Sequence, residues 1–166
     1  MATVTLHGDK INTSGNLPKN GSKALDFNLT ATDLSSKSLK DFDGHKLVLN
    51  IFPSVDTGTC AASVRQFNKE ASALPDTKVL CISRDLPFAF SRFCAAEGLN
   101  NVVCLSDFKN GNFGKTYGLD FVDGPLEGLL SRCIVVIDKN GNIVHTQQVE
   151  ETVDEPNYQA AINALQ

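Results

Sequence analysis

No apolar run in this sequence comes near the ~20 residues that a membrane span requires; the longest stretches, 47–49 with 51–52 and then 134–137, have the length of strands. Basic clusters are missing too. With 15 Lys and Arg against 19 Asp and Glu the net charge is −4, and such a surface repels a phosphate backbone, which argues against a nucleic-acid partner. Residues 1–7 carry neither the basic start nor the apolar segment of a secretory signal, so the expected location is the cytoplasm. No two of His7, His45 and His145 stand at metal-ligand spacing, and all three read as solvent-facing. The segment Asn110-Gly111-Asn112-Phe113-Gly114 lacks the Gly-Lys-Ser/Thr ending of a phosphate loop. A Cys-x-x-Cys pair is absent, which tells against a general disulfide oxidoreductase.

The chain has 166 residues, the length of one domain, 1–166. A chain of this size buries roughly 68–70% of its unfolded surface, enough for a core that needs neither a disulfide nor a structural metal. Five cysteines (60, 81, 94, 104 and 133) make an odd number without an export signal. In a reducing compartment such cysteines are packed, metal-bound or catalytic, and the task is to find the reactive one.

Polar and apolar residues alternate over 3–6, His7-Gly8-Asp9 turns, and 10–12 return, which predicts an N-terminal hairpin. Residues 16–22 read as a loop and 26–30 as a short strand. The runs 46–52, 78–83 and 101–105 have the continuous apolar character of parallel strands covered on both faces. Between the first two, Val64, Phe67, Ala71 and Leu74 recur at helical steps, predicting a helix over 57–74 that Asp56 or Thr57 caps and Pro75 follows. A second helix is predicted over 87–97, with Pro87 in its first turn and Gly98 as its stop. A weaker one spans 110–117. The strand 132–138, a turn containing Asn140-Gly141, the return strand 143–149 and a helix over 156–165 complete the chain. The order implies an α/β domain with a central mixed sheet flanked by helices and right-handed crossovers in its parallel part.

Phe52 to Cys60 joins the first buried strand to the first helix, at the carboxyl end of a strand, where open α/β sheets bind ligands. Cys60 then falls in the first helical turn. There unclaimed backbone N–H groups and the helix dipole favour a thiolate over a thiol. Thr57 stands three residues earlier, placed to offer its hydroxyl to that sulfur or to a bound oxygen, while Pro53 fixes the chain direction. Cys81, Cys104 and Cys133 sit inside Val/Ile/Leu strands and read as packed and inert.

The string Pro53-x-x-x-Thr57-x-x-Cys60 resembles the signature of the peroxiredoxins, which have a thioredoxin-like fold. The fuller segment 53–65, with Leu80-Cys81-Ile82-Ser83, Asp85-Leu86-Pro87-Phe88-Ala89, Ser91-Arg92-Phe93-Cys94 and Glu97-Gly98-Leu99, is similar to the bacterial thiol peroxidase subfamily. The resemblance implies a peroxidase without metal or organic cofactor that reduces hydrogen peroxide and organic hydroperoxides. Cys60 would be the peroxidatic cysteine, oxidised to a sulfenic acid. Cys94 would be the resolving cysteine that forms an intramolecular disulfide with it, and thioredoxin the reductant. Arg132 matches the family arginine that polarises the peroxide. Leu86, Phe88 and Phe93, with Pro53, are the expected substrate-pocket residues, apolar enough for an alkyl tail. A homodimer is implied as well. Two other readings stay open on the residues themselves: a general disulfide oxidoreductase of the same fold, and a non-catalytic redox sensor whose cysteine pair switches a partner.

Overall fold

The structure, a computed structural model, describes residues 1–71 and 73–166. Its frame is a seven-stranded mixed sheet. The strands are β3 (Asn28–Ala31), β4 (Ser36–Ser38), β5 (Lys46–Ile51), β6 (Thr77–Ser83), β7 (Val102–Ser106), β8 (Cys133–Ile137) and β9 (Ile143–Gln148), in the order β4-β3-β7-β6-β5-β8-β9. The central strands β5, β6 and β7 run parallel, and the outer pairings are antiparallel. A separate hairpin, β1 (Thr3–Leu6) and β2 (Asp9–Asn12), turns through His7 and Gly8, both at positive φ, as a two-residue turn of primed type requires.

Helices α1 (Gly58–Ala71) and α2 (Pro87–Glu97) are the crossovers of the parallel part; α3 (Asn112–Tyr117) and α4 (Tyr158–Ala164) follow later. The continuous apolar runs in β5, β6 and β8 are explained by two cores, one on each face. Leu49, Ile51, Leu80, Ile82 and Val135 point to one face, where Phe113 and Tyr117 of α3 pack. Val48, Val79, Ile134 and Val136 point to the other, beneath Val64 and Phe67 of α1, Phe90 of α2 and Ala161 of α4.

The expected elements are present with ends shifted by a residue or two, except that α1 closes at Ala71 rather than 74; Leu74 still packs on the helix-side core, and Ser72 lies outside the described residues. Strand β4 and the short 3-10 helix Leu39–Phe42 were not anticipated, since Ser36-Lys37-Ser38 has no apolar alternation. The solvent-facing reading holds for His7 alone. His45 and His145 are half-buried, each with one ring nitrogen buried and unpartnered (Nδ1 and Nε2), because the turn and edge strand that carry them fold back on the sheet. Among the described residues no helix is long and apolar enough to cross a membrane.

Candidate active site

The loop 53–57 delivers the chain from β5 into α1. Helical hydrogen bonding begins with the Ala61 N–H donating to the Thr57 carbonyl at 3.0 Å. The N–H groups of Gly58, Thr59 and Cys60 therefore have no helical acceptor, and they gather the positive end of the helix dipole around Cys60. Cys60 is 0% exposed, packed with Phe52, Val55 and Val64. Its carbonyl accepts a bond from Ser63 Oγ at 2.8 Å, and Ser63 Oγ accepts from Asn50 Nδ2 at 3.3 Å, so the first turn is tied to β5 by buried neutral groups.

The start of α1, just before Cys60, lines a cavity of ≈ 360 Å³. Pro53, Thr57, Gly58 and Thr59 form one wall, Arg132 and Thr152 another, with Leu126 and Leu129 adding apolar surface. Arg132 precedes β8 and is only 3% exposed. Its Nε donates to the Thr152 carbonyl at 3.0 Å, while Nη1 is buried with no partner, as is the Thr152 hydroxyl. Among the described residues no carboxylate pairs with this guanidinium. A buried cation with a spare N–H on the wall of a cavity is costly to keep, and it is suited to an oxygen that gains negative charge. Thr59 Oγ1 donates to the Val153 carbonyl at 2.8 Å, so the segment 152–153 fixes the arginine and the helix start to each other.

Thr57 is exposed and its hydroxyl donates to the Ser54 carbonyl at 3.0 Å. To donate to a sulfur or a bound oxygen, that hydrogen must first leave Ser54. Asp85, between β6 and α2, accepts from Ser54 Oγ at 2.7 Å and from the Val55 N–H at 2.9 Å, which locks the Cys60 loop to the segment leading into α2. Two exposed ion pairs bridge the same parts: Arg92 with Asp56 at 3.1 Å and Arg65 with Glu97 at 2.9 Å.

Cys94, near the end of α2, is half-buried, and its sulfur lies 3.2 Å from that of Cys104 on β7. The hydrogen bond to Cys104, reinforced by burial, pushes the Cys94 thiol far above its ordinary titration range. Burial pushes the Cys133 thiol up to about 12, against a weaker pull from the Ser131 hydroxyl and Arg132. All five cysteines are free.

The structure thus brings Pro53, Thr57 and Arg132 to one cavity, while Cys60, next in the chain after the lining residues Thr57 to Thr59, is buried and does not itself line it. The remaining expected pocket residues stand elsewhere. Leu86 and Phe88 are exposed at the start of α2, Phe88 at 66%, and Phe93 packs on the helix-side core with the Arg65 guanidinium 5.9 Å above its ring. Apolar surface at the cavity comes instead from Leu6, Leu126, Leu129 and Val153. These lie in a hairpin end and in loops with no periodic signal, so spacing did not reveal them. Nor did it reveal Asp85, Ser63 or Asn50; only the interruption of an apolar strand by Asn50 hinted at a buried polar role. Among the described residues no group of three or more His, Cys, Asp or Glu gathers in a way that would hold a metal ion.

Comparison with known proteins bears on the fold and the family. The redoxin family model matches residues 19–162. A thiol peroxidase of Corynebacterium glutamicum is 52% identical over 165 residues, covering 99% of both chains. Among solved structures, a peroxiredoxin-like protein from Aquifex aeolicus superposes with a TM-score of 0.93 at 33% identity, over 99% of this chain and 96% of its own. A thiol peroxidase from Chromobacterium violaceum shares the fold, with a TM-score of 0.91 at 22% identity over 98% of this chain and 94% of its own. Matched by the redoxin model over most of its length and sharing half its residues with a thiol peroxidase along nearly the whole of both chains, the chain belongs to the redoxin family and, within it, to the thiol peroxidases.

Proposed function

We propose that the chain reduces hydroperoxides at Cys60 and is recycled through a disulfide with Cys94. The observation that supports this most is one cavity lined both by the start of α1 that leads into Cys60, with three N–H groups lacking helical acceptors, and by Arg132, whose Nη1 is buried without a partner among the described residues. The Cys60 thiolate attacks the terminal oxygen of a hydroperoxide, and the O–O bond breaks. The departing oxygen takes the electron pair and a proton and leaves as water or an alcohol, while Cys60 becomes a sulfenic acid. Arg132 and the Thr152 hydroxyl face the charge that grows on the departing oxygen. Cys60 is fully covered in the resting fold, so the first turn must open for the peroxide to enter.

The Cys94 thiol then condenses with the sulfenic acid; an S–S bond forms and water leaves. In place, Cys94 is poorly suited to attack, since its contact with Cys104 and its burial hold the proton on. Resolution therefore proceeds with local unwinding along α2, which carries Cys94 away from Cys104, with or without unwinding around Cys60. A dithiol of the thioredoxin type reduces the disulfide by exchange. A soluble cytoplasmic homodimer is the setting this reading implies.

Steady-state consumption of hydrogen peroxide and cumene hydroperoxide, coupled to thioredoxin, thioredoxin reductase and NADPH, tests the reading. Cys60→Ser is expected to abolish turnover. Cys94→Ser is expected to complete one round and leave a sulfenic acid on Cys60 that dimedone traps. Full turnover by the Cys60 variant would refute the assignment, and a single round without turnover in the unmutated chain would point to a sensor.

A further inference from the structure

We propose that Cys104 is a third redox thiol, which takes Cys94 over from the Cys60–Cys94 disulfide and holds the oxidation as a Cys94–Cys104 disulfide until a reductant arrives. The proposal rests on the Cys60–Cys94 reading above. Its basis is the strand register. Strand period places alternate residues on opposite faces, and Asn50, Cys81 and Cys104 all fall on the helix side. They are also neighbours across the sheet: Asn50 pairs with Cys81, and Cys81 with Cys104. Asn50 Nδ2 lies 3.7 Å from Cys81 Sγ. This row ends under α2, where Cys94 comes down to place its sulfur 3.2 Å from Cys104. A disulfide has its sulfurs ~2.05 Å apart, so the pair needs to close by only about 1 Å.

The two candidate disulfides make opposite demands on the fold. Cys94 joins Cys60 only by leaving Cys104, which displaces α2 and the packing of its buried Phe90 against Phe52, whose ring centroids lie 6.3 Å apart. Cys94 joins Cys104 with α2 in its resting place. Redocking of α2 therefore favours transfer of the bond. The exchange balances without any further reagent. Cys104 loses its proton and attacks Cys94 Sγ, the S–S bond to Cys60 breaks, and Cys60 leaves as a thiolate, free to meet a second hydroperoxide. Within the resting fold the neighbouring Cys81 and burial hold the Cys104 thiol above its ordinary range, and its contact with Cys94 pulls the other way. The product faces outward: Cys94 and Cys104 both line a cavity of ≈ 340 Å³ with Ser91, Leu99 and Val102, where a reducing dithiol has a point of entry.

The test is a time course on the reduced full chain given one equivalent of hydrogen peroxide without reductant, quenched in acid, alkylated and digested under non-reducing conditions for mass spectrometry. Expected in the unmutated chain is a Cys60–Cys94 peptide that gives way to Cys94–Cys104, with Cys60 again alkylated. Cys104→Ala should stop at Cys60–Cys94, and Cys60→Ser should form neither bond. Peroxide uptake gives a second readout: about two equivalents per unmutated chain, because Cys60 is released, against about one for Cys104→Ala. An unmutated chain that holds Cys60–Cys94 throughout, with Cys104 alkylated, overturns the relay, and this result does not depend on how the variants fold. So does a Cys94–Cys104 bond that forms as fast in Cys60→Ser. If Cys104→Ala gives no Cys60–Cys94 bond at all, the reading of Cys94 as resolving thiol falls, and the relay with it.

Discussion

Replacing Arg132 by methionine separates catalysis from stability more sharply than any other single change. The guanidinium is buried and, among the described residues, lacks a carboxylate partner and leaves Nη1 without an acceptor. The substitution would remove the Nε bond to the Thr152 carbonyl, a charged hydrogen bond worth about 1.5–3 kcal/mol. It would also relieve an orphaned buried donor, at about 1–3 kcal/mol, and the desolvation of a charge, several kcal/mol more. The substitution also leaves the Thr152 carbonyl without this donor, about 1–3 kcal/mol, so losses and gains offset and Arg132→Met is expected to stay within about 2 kcal/mol of the unmutated chain in stability. Activity should fall. Removing one preorganised donor to developing negative charge costs about 10²–10³ in rate, or about 2.7–4 kcal/mol. Urea unfolding and the coupled peroxidase assay measure the two effects on the same sample. Arg132→Lys restores the charge as a point ammonium without the planar fork, and is expected to recover only part of the rate. A variant destabilised by more than about 2 kcal/mol, or one within tenfold of full activity, would show that Arg132 is kept for the fold and not for the reaction.

Asp85→Asn sets an amide N–H₂ against the Ser54 hydroxyl or the Val55 N–H, and is expected to cost about 1–3 kcal/mol by urea midpoint and to speed amide exchange over 53–60. Phe67→Ala empties a fully buried site whose ring meets Tyr158 at 5.1 Å; calorimetry should show a loss of about 3–5 kcal/mol. Burial holds the imidazole of His145 below its ordinary titration range, near 6.5 in the unfolded chain. The unfolded chain therefore takes that proton first, so the contribution of His145 is intact above about pH 6.5 and is lost as pH falls through it. Urea midpoints at about pH 7.5 and 5.5 should draw closer together in His145→Gln.

The sheet was legible because its central strands are covered on both faces, so Leu47-Val48-Leu49 and Ile134-Val135-Val136-Ile137 announce themselves without any alternation. The Cys60 loop was legible because a strand end, a cap and a cysteine three residues on carry a local meaning. The rest of the cavity was not. Thr152, Val153, Leu126 and Leu129 reach it from loops brought in by long-range pairings such as Thr5 with Glu151, and one-dimensional periodicity holds no trace of those. Leu86 and Phe88 misled for the reverse reason: apolar character near a motif says nothing about which way a helix start faces. Cys104 read as an inert strand residue, which describes its burial correctly. What a strand pattern cannot show is that the neighbouring helix sets a second sulfur against it.

A peroxidase of this design must hide a reactive sulfur in one state and release it in the next, and the two helices are held in a way that suits that sequence. Helix α1 buries Cys60, Ala61, Ser63, Val64 and Phe67, and it is fastened to β5 through Asn50. Helix α2 buries only Pro87 and Phe90. Beyond these, Phe93 and Cys94 are only partly buried against the same core, and the ties of α2 to α1 and the Cys60 loop include the exposed pairs of Arg92 with Asp56 and Arg65 with Glu97, which water and salt weaken. Few apolar contacts and solvent-screened ion pairs are the marks of a segment that opens below the global unfolding free energy. On the proposed Cys60–Cys94 cycle, the helix that has to travel is therefore the one held by the weaker contacts. In that cycle Cys60, the proposed nucleophile, stays on the element anchored in the core, so its first turn would close again each time the disulfide is released.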